Sequence, residues 1–572
     1  MAGLRADTQA GFNVALLSFT QGMAYAVIAE LPIYYGIVTG AVAAMVAPLF
    51  SGSRHTVLGP TNATAFMLFS YFAVYPHPYM LALMPLLVFM IGVMLVIGAY
   101  LRVADLIQFI SRSVVVGYIT AAAVLIIMNQ LRHVMGVDLE PADGVGEART
   151  FVSILEAMVK AVPDLNWYPV ILGVLTLVTW YILGRLFKTL PVFALTLLLV
   201  SVLSVFLRTY AGFKFETFEA FSLADLKPAI PRFSDAGMIN DVSRLLGVAF
   251  SVAFLAALEN SMMSKTLASR SGDRPDMNQD MLSVGISNLA CAMAGGMPAS
   301  GSPTRSSLNF TSGAVSRLAS IISGVLVAIG AVLLGRYMVH VPKSSLAVLV
   351  ICVAASLINR RHIRVALRST QSDAAVLIVT FVTALIAPLN IAIFVGVGVS
   401  IVLYLRQASR PHLSEYEFME DGQLAEAGEK RERPTPSISI VHVEGELFFG
   451  AAELFRAQIQ KTCMDPNLRM VILRLKNARH LDATSVLALE ELIFFLRSTN
   501  RDLIISGATK DVYRVLKNSG LVDEVGRENI FLNSPRSPNL STRNALLRAQ
   551  ELLGTTEADV KIFFDPAKQG NE

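Results

Sequence analysis

Residues 295–310 read Gly295-Gly296-Met297-Pro298-Ala299-Ser300-Gly301-Ser302-Pro303-Thr304-Arg305-Ser306-Ser307-Leu308-Asn309-Phe310. The stretch is small, polar and broken by Gly and Pro, yet long apolar runs flank it on both sides. It carries one cation, Arg305. A fainter version occurs early in the chain at Gly59-Pro60-Thr61-Asn62-Ala63-Thr64-Ala65. Pro60-Thr61-Asn62 and Pro303-Thr304-Arg305 read as counterparts in two halves. In a membrane protein, paired interrupted segments of this kind point to a substrate site, and the Arg points to an anion.

The composition supports a membrane protein. Of 572 residues, 54% are hydrophobic and 16% charged, and the mean hydropathy is +0.57. A soluble domain averages about 25% charged residues. The net charge is only +4, and the basic residues sit in loops between apolar runs. That distribution argues against nucleic acid as a partner. Cys291, Cys352 and Cys463 are far apart, with neither metal spacing nor a disulfide framework. The sequence has no Walker loop, no His/Cys cluster and no catalytic constellation. The expectation is therefore a transporter driven by a gradient or by exchange, with no cofactor, rather than an enzyme or a primary pump.

Up to about residue 410 the chain is a series of apolar runs with short polar breaks. A bilayer-spanning helix needs roughly 20 apolar residues, and the runs predict about fourteen transmembrane segments, the first near residue 20. The segments at 59–75, 280–295 and 302–312 are shorter or broken. The loops holding Arg102 and Arg112, Arg185 and Lys188, Lys265 to Arg274, and Arg360 to Arg368 then all fall on one side. The positive-inside rule makes that side cytoplasmic, together with the N-terminus. The loop 131–166, with Asp138, Glu140, Asp143 and Glu147, falls outside. Arg336 and Lys343 fall outside as well and run against the scheme.

Residues 1–410 thus read as the membrane domain and 411–436 as a charged linker or solvated edge element. Residues 437–535 read as a small α/β domain, and 536–572 as a polar tail with an amphipathic piece at Thr542–Leu553. In the α/β domain, Ser437–Val443 alternates like a strand, and Met470–Leu475 suits a buried one. Asp482 is placed to cap the helix that follows it.

Several residues in the membrane domain are candidates for chemistry. Arg305 sits beside a half-helix beginning near Pro303, where dipole, free N–H groups and guanidinium would all face an anion. The alternatives are a pair with an intramembrane carboxylate or snorkelling to the interface. Ser302, Thr304 and Ser306 add hydroxyls, although serines also occur at close helix contacts. Thr61 and Asn62 are the matching groups at the first short helix, with packing as the alternative. Glu259 follows a long apolar run and is a site for a coupling ion, H⁺ or Na⁺, or else an ion-pair partner of Lys265 or Arg305. Gln21 and Tyr25 share a face of the first span at i, i+4 spacing. Glu30 reads as solvated at the outer end of that span, and Asn129 and Gln130 as interfacial.

Taken together, these residues resemble the SulP family of anion transporters, the family of solute carrier 26. Gln21-Gly22-Met23-Ala24-Tyr25-Ala26 and Leu31-Pro32-Ile33-Tyr34-Tyr35-Gly36 resemble its Pro-Gln-Gly-Met-Ala-Tyr-Ala…Leu-Pro-Pro-x-Tyr-Gly signature. Gly59-Pro60-Thr61 and Ser302–Asn309 resemble its third and tenth spans, and Glu259 falls on its acidic eighth-span position. Glu446–Gly450 and Asp482-Ala483-Thr484 resemble its C-terminal STAS domain. The resemblance implies fourteen spans in two inverted seven-helix repeats with a core and a gate domain, plus a cytoplasmic STAS domain. It further implies substrate between the third and tenth half-helices, elevator-like movement and a homodimer in a bacterial inner membrane. Family substrates include sulfate, bicarbonate, chloride and dicarboxylates.

The chain departs from the family at Thr20, where Pro is usual, at Glu30, where a small residue is usual, and at Pro303. Met263, four positions after Glu259, replaces a hydroxyl residue and leans away from sodium. Ala483 replaces the phosphorylatable serine of related soluble STAS proteins. The leading expectation is proton-coupled transport of a small inorganic or carboxylate anion. The alternatives are a sodium-coupled bicarbonate symporter, an uncoupled exchanger or channel of the same fold, and a membrane sensor.

Overall fold

The computed structural model describes residues 2–72, 75–107, 111–137, 151–187, 191–226, 228–229, 237–408, 412–418, 424–426, 437–447, 449–463, 465–479, 481–534 and 539–554. The acidic loop residues Asp138, Glu140, Asp143 and Glu147, and Lys188, lie outside them. The chain divides into two units, Met1–Ser400 and Ile401–Glu572.

The first half of the membrane unit comprises α1 (Ala2–Ile28), α2 (Ile33–Phe50), β1 (Leu58–Gly59), α3 (Asn62–Phe72), α4 (His77–Tyr100), α5 (Val103–Ile107), α6 (Arg112–Met135), α7 (Phe151–Ala161), α8 (Trp167–Leu186) and α9 (Val192–Tyr210). The second half comprises α10 (Met238–Ser271), α11 (Met277–Met293), β2 (Ser300–Gly301), α12 (Pro303–Thr311), α13 (Leu318–Leu334), α14 (Lys343–Leu357), α15 (Arg360–Ser369), α16 (Gln371–Ile386) and α17 (Leu389–Ala408). Among the described residues, ten helices are long and apolar enough to cross a membrane. Pro32, Pro76 and Pro342 precede α2, α4 and α14, and Pro303 opens α12. Proline cannot continue a preceding helix but fits the start of the next. Leu198, Val202 and Phe206 on α9 and Ile329, Val332 and Leu333 on α13 are exposed, which is the surface that lipid covers.

The helices form two groups. In one, α1 packs on α2 and α13, and α11 packs on α2 and α4, with α10 beside them. In the other, α6 packs on α14 and α16, while α8 packs on α14 and α9. The groups meet where α1 touches α9 and α14 and where α3 touches α6. The α1–α2 crossing is unusually close, because a methyl group added to Gly36 would overlap the Gly22 carbonyl. Small residues permit such approach between membrane helices. Gly36→Ala should therefore cost roughly 1–3 kcal/mol or more through overpacking. It should lower the thermal midpoint in detergent and, because α1 carries Gln21 and Tyr25, reduce uptake. An unchanged midpoint would count against this packing argument.

Two sequence expectations change here. Glu30 is not simply solvated: its carboxylate pairs with Arg132 across the two helix groups. Asn129 and Gln130 are not interfacial, being 1% and 0% exposed. Each sits more than a turn inside the end of α6, where neighbouring helices cover it.

The second unit holds one sheet in the order β4-β3-β5-β6-β7-β8. Its strands are β3 (His412–Phe418), β4 (Leu424–Glu426), β5 (Ile438–Glu446), β6 (Met470–Arg479), β7 (Asp502–Ala508) and β8 (Ile530–Leu532). The last four pair in parallel, and β3 joins β5 antiparallel. Helices α18 (Phe449–Thr462), α19 (Ala483–Ser498), α20 (Lys510–Asn518) and α21 (Leu521–Val525) follow in this unit. A core of Val441, Val471, Leu489 and Leu492 forms one side of the sheet. Asp482 caps α19 by accepting from the Ser485 N–H at 2.9 Å.

The stretch read as linker or edge element supplies β3 and β4, while 409–411, 419–423 and 427–436 lie outside the described residues. Its charges gave it a solvated look, yet β3 lies inside the sheet and the outer strand is β4, which carries Glu426; charge protects such an outer strand from further pairing. The polar tail likewise contributes α22 (Leu540–Leu553), whose Ala545, Leu546 and Ala549 pack with Ile438, Ile440, Ile472 and Ile504 on the other side of the sheet.

Candidate functional site

The two interrupted stretches meet. Leu58 and Gly59 pair antiparallel with Gly301 and Ser300, so β1 and β2 form a two-residue ribbon. Backbone in a membrane must find its partners inside the protein, and each break here supplies the other's. The ribbon leads directly into α3 and α12, which start at Asn62 and Pro303. Their N-terminal ends carry partial positive charge.

Arg305, in the first turn of α12, is 0% exposed. Its Nη2 donates to the Pro60 carbonyl at 2.7 Å, while Nε and Nη1 have no partner among the described residues. The guanidinium lies against Gly59, where an added Cβ would sit 2.9 Å from Nη2. A side chain there would displace it. Arg305 is thus neither snorkelled nor neutralised by a bonded carboxylate, and two of its buried nitrogens have no hydrogen-bond partner among the described residues.

Glu259, on α10, is partly exposed. Its Oε2 accepts from Thr61 Oγ1 at 3.0 Å and from Ser300 Oγ at 2.7 Å. One hydroxyl therefore comes from each interrupted stretch. Lys265, the other partner considered, is exposed. Ser300 was not singled out from the sequence. The available signal was its place in the second break, since it stands opposite Gly59 in the ribbon.

Gln21 Nε2 donates to Thr304 Oγ1 at 3.2 Å, which ties α1 to the start of α12. Tyr25, one turn further along α1, is buried, whereas Thr304 is exposed. Gln21, Tyr25 and Asn62 together line a narrow cleft with Ile126 of α6 and Val350 of α14. The cleft therefore lies between the two helix groups. Ser302 and Ser306 do different work. Ser302 Oγ caps α12 by accepting from the Arg305 N–H at 3.4 Å. Ser306 Oγ accepts from the Val57 N–H at 2.9 Å and braces the strand before β1. Asn309 continues this brace by donating to the His55 carbonyl at 3.1 Å.

The arrangement offers an anion two helix ends and unpaired guanidinium donors. A carboxylate that can gain or lose one charge stands beside it. Among the described residues, no group of His, Cys, Asp and Glu is arranged to hold a metal ion.

Comparison with known proteins points the same way. Residues 4–380 match the sulfate permease family, and residues 431–536 match the STAS domain. The putative sulfate transporter YvdB of Bacillus subtilis is 26% identical over 92% of this chain and 95% of that protein. The chloroplastic sulfate transporter 4.1 of Arabidopsis thaliana is 24% identical over 92% of this chain and 78% of that protein. Among solved structures, SLC26A9 superposes with a TM-score of 0.82 at 18% identity, covering 97% of this chain and 91% of that one. The transmembrane domain of the cyanobacterial bicarbonate transporter BicA gives 0.60 at 17% identity, covering 70% and 97%.

Proposed function

The chain belongs to the sulfate permease family, a family of anion transporters and not of enzymes, and carries a STAS domain, and from this premise we propose that it is a proton-coupled transporter of a sulfate-type anion. The observation that carries the reading is the pair of half-helix N-termini with Arg305 Nε and Nη1 unpartnered between them. The anion is held by Arg305, Thr304, Gln21 and Asn62, with Tyr25 as a wall. Thr61 and Ser300 hold Glu259, and Ser302 and Ser306 keep the frame. Glu259 carries the proton, and neutralising it offsets one charge of the incoming anion.

The helix group containing α1, α3, α10 and α12 moves as a body past the group containing α6 and α14, in an elevator-like cycle. The N-terminus and STAS domain face the cytoplasm of a bacterial inner membrane, and two copies form a homodimer. The exposed Arg360, Arg361, Arg364 and Arg368 on α15 support that orientation.

Proteoliposomes loaded without substrate test the reading against labelled sulfate, bicarbonate and a dicarboxylate, under separate proton and sodium gradients. The expected result is sulfate accumulation driven by an inward proton gradient and indifferent to sodium. Sodium-driven uptake, or equilibration without accumulation, would replace it with the symporter or channel alternative.

A further inference from the structure

A second polar cavity lies at the far end of α6 from its Arg112 start. It is a small cavity of about 20 Å³, lined by Arg132, His133, Glu216, Lys343 and Ser344, among others. Lys343 and Ser344 form the first turn of α14, which Pro342 caps without a side-chain hydrogen bond. Ser344 is 3% exposed, and its hydroxyl has no partner among the described residues. Arg132 Nε is likewise buried without one. The two cations are occupied by carboxylates. Arg132 pairs with Glu30, and Lys343 Nζ meets Glu216 Oε2 at 2.8 Å. The Lys343 ammonium holds the Glu216 carboxyl below its usual range, so an anionic oxygen already sits in the cavity.

The cavity is joined to the central cleft by the same two helices. Ile126 and Val350 line the cleft, and Arg132 and Ser344 line the cavity. Along each helix the two positions are six residues apart, or about 9 Å. Between them on α6 lie Asn129 and Gln130. Ile126, Asn129, Gln130 and His133 share a helix face by their i, i+3, i+4, i+7 spacing. Both amides are buried, and all four of their side-chain polar atoms lack partners among the described residues. An unpaired buried polar group costs about 1–3 kcal/mol, so a hydrogen-bonding solute beside these two amides would be stabilised.

We propose that this cavity is a second anion site, which holds a small inorganic oxyanion at Arg132, Lys343 and Ser344 before it passes along the Asn129–Gln130 face to the central cleft. The proposal rests on the transport reading and on the orientation given above, in which the cavity faces outside. Glu216 and Glu30 occupy the cations until the oxyanion displaces them, and Ser344 adds a neutral donor.

Sided kinetics in proteoliposomes test it with labelled sulfate. Lys343→Gln should raise the external KM roughly five-fold, and Glu216→Gln should lower it by a similar factor, the scale of one partly exposed charge pair. The KM measured for efflux should stay unchanged in both variants. Shifts in the same direction, or equal shifts on the two sides, would mean a structural effect and overturn the proposal. The external shifts should be the same in neutral and phosphatidylglycerol-rich membranes. Shifts seen only with the anionic lipid would assign the cavity to a lipid headgroup and overturn it.

A wild type that moves no sulfate would defeat the transport reading, and binding would then be read without transport. Sulfate should still raise the unfolding midpoint of the nanodisc-embedded full chain in the Arg305→Ala background, or in Arg305→Lys if the first is unstable. Adding Lys343→Gln should remove that rise. No sulfate-dependent rise in the Arg305 variant, or a rise that survives Lys343→Gln, overturns the outer site.

Discussion

Arg305→Ala is expected to abolish sulfate uptake while the chain still inserts and purifies as the wild type does. The physical reason is that Nε and Nη1 are the unpaired charged donors between the two half-helices. A hydrogen bond to a charged group contributes about 1.5–3 kcal/mol. Losing two of them weakens anion binding by roughly 10²–10⁴-fold, which takes uptake below detection at ordinary concentrations. The variant also leaves the Pro60 carbonyl without its 2.7 Å donor, so a modest drop in thermal midpoint accompanies the loss. Arg305→Lys separates charge from geometry. An ammonium keeps the charge but not the planar fork, and intermediate uptake with a raised KM is expected. Normal sulfate uptake by Arg305→Ala would remove this residue from the anion site.

Glu259→Gln should have the second large effect, and of a different kind. The amide oxygen still accepts from Thr61 Oγ1 and Ser300 Oγ, which now meet the carboxylate at 3.0 and 2.7 Å. The local frame therefore stands, but the position no longer takes or gives a proton. Exchange of labelled for unlabelled sulfate should continue in this variant. Accumulation against a gradient should not. One pH unit corresponds to about 1.4 kcal/mol per proton, so a singly coupled wild type concentrates its anion roughly tenfold per unit. The variant should equilibrate at a ratio near one. Retained proton-driven accumulation would show that Glu259 is not the coupling group. Loss of exchange as well would make it part of the anion site instead.

Much of the site was legible because lipid makes backbone breaks expensive. Gly59-Pro60-Thr61 and Ser302-Pro303-Thr304 stand out only because apolar runs surround them. The i, i+4 spacing put Gln21 and Tyr25 on one face without any tertiary information. Other features could not be read that way. Ser300 looks like any small residue in a Gly/Ser-rich break until the ribbon register sets it beside Glu259. Asn129 and Gln130 lie near the end of a span in sequence, and only the packing of α6 against its neighbouring helices buries them. Glu30 looked solvated because its partner, Arg132, is 102 residues away. In the second unit, the charged stretch left linker and edge element both open, and the amphipathic piece at Thr542–Leu553 had no visible partner, until pairing put β3 beside β5 and packing put α22 on the sheet.

The sequence by itself determined that this protein spans a membrane, that two polar breaks in it belong together, and that Arg305 and Glu259 are its charges of interest. Those are local facts, since apolar length, helix-breaking residues and a lone charge in an apolar run each act within a turn or two of the chain. Only the tertiary structure decided that Glu259 bonds hydroxyls from both breaks and not Arg305, which leaves the guanidinium's Nε and Nη1 open. Which partner a buried charge takes depends on distances between segments that lie far apart in the chain. Helix packing sets those distances, and no spacing within one segment encodes them.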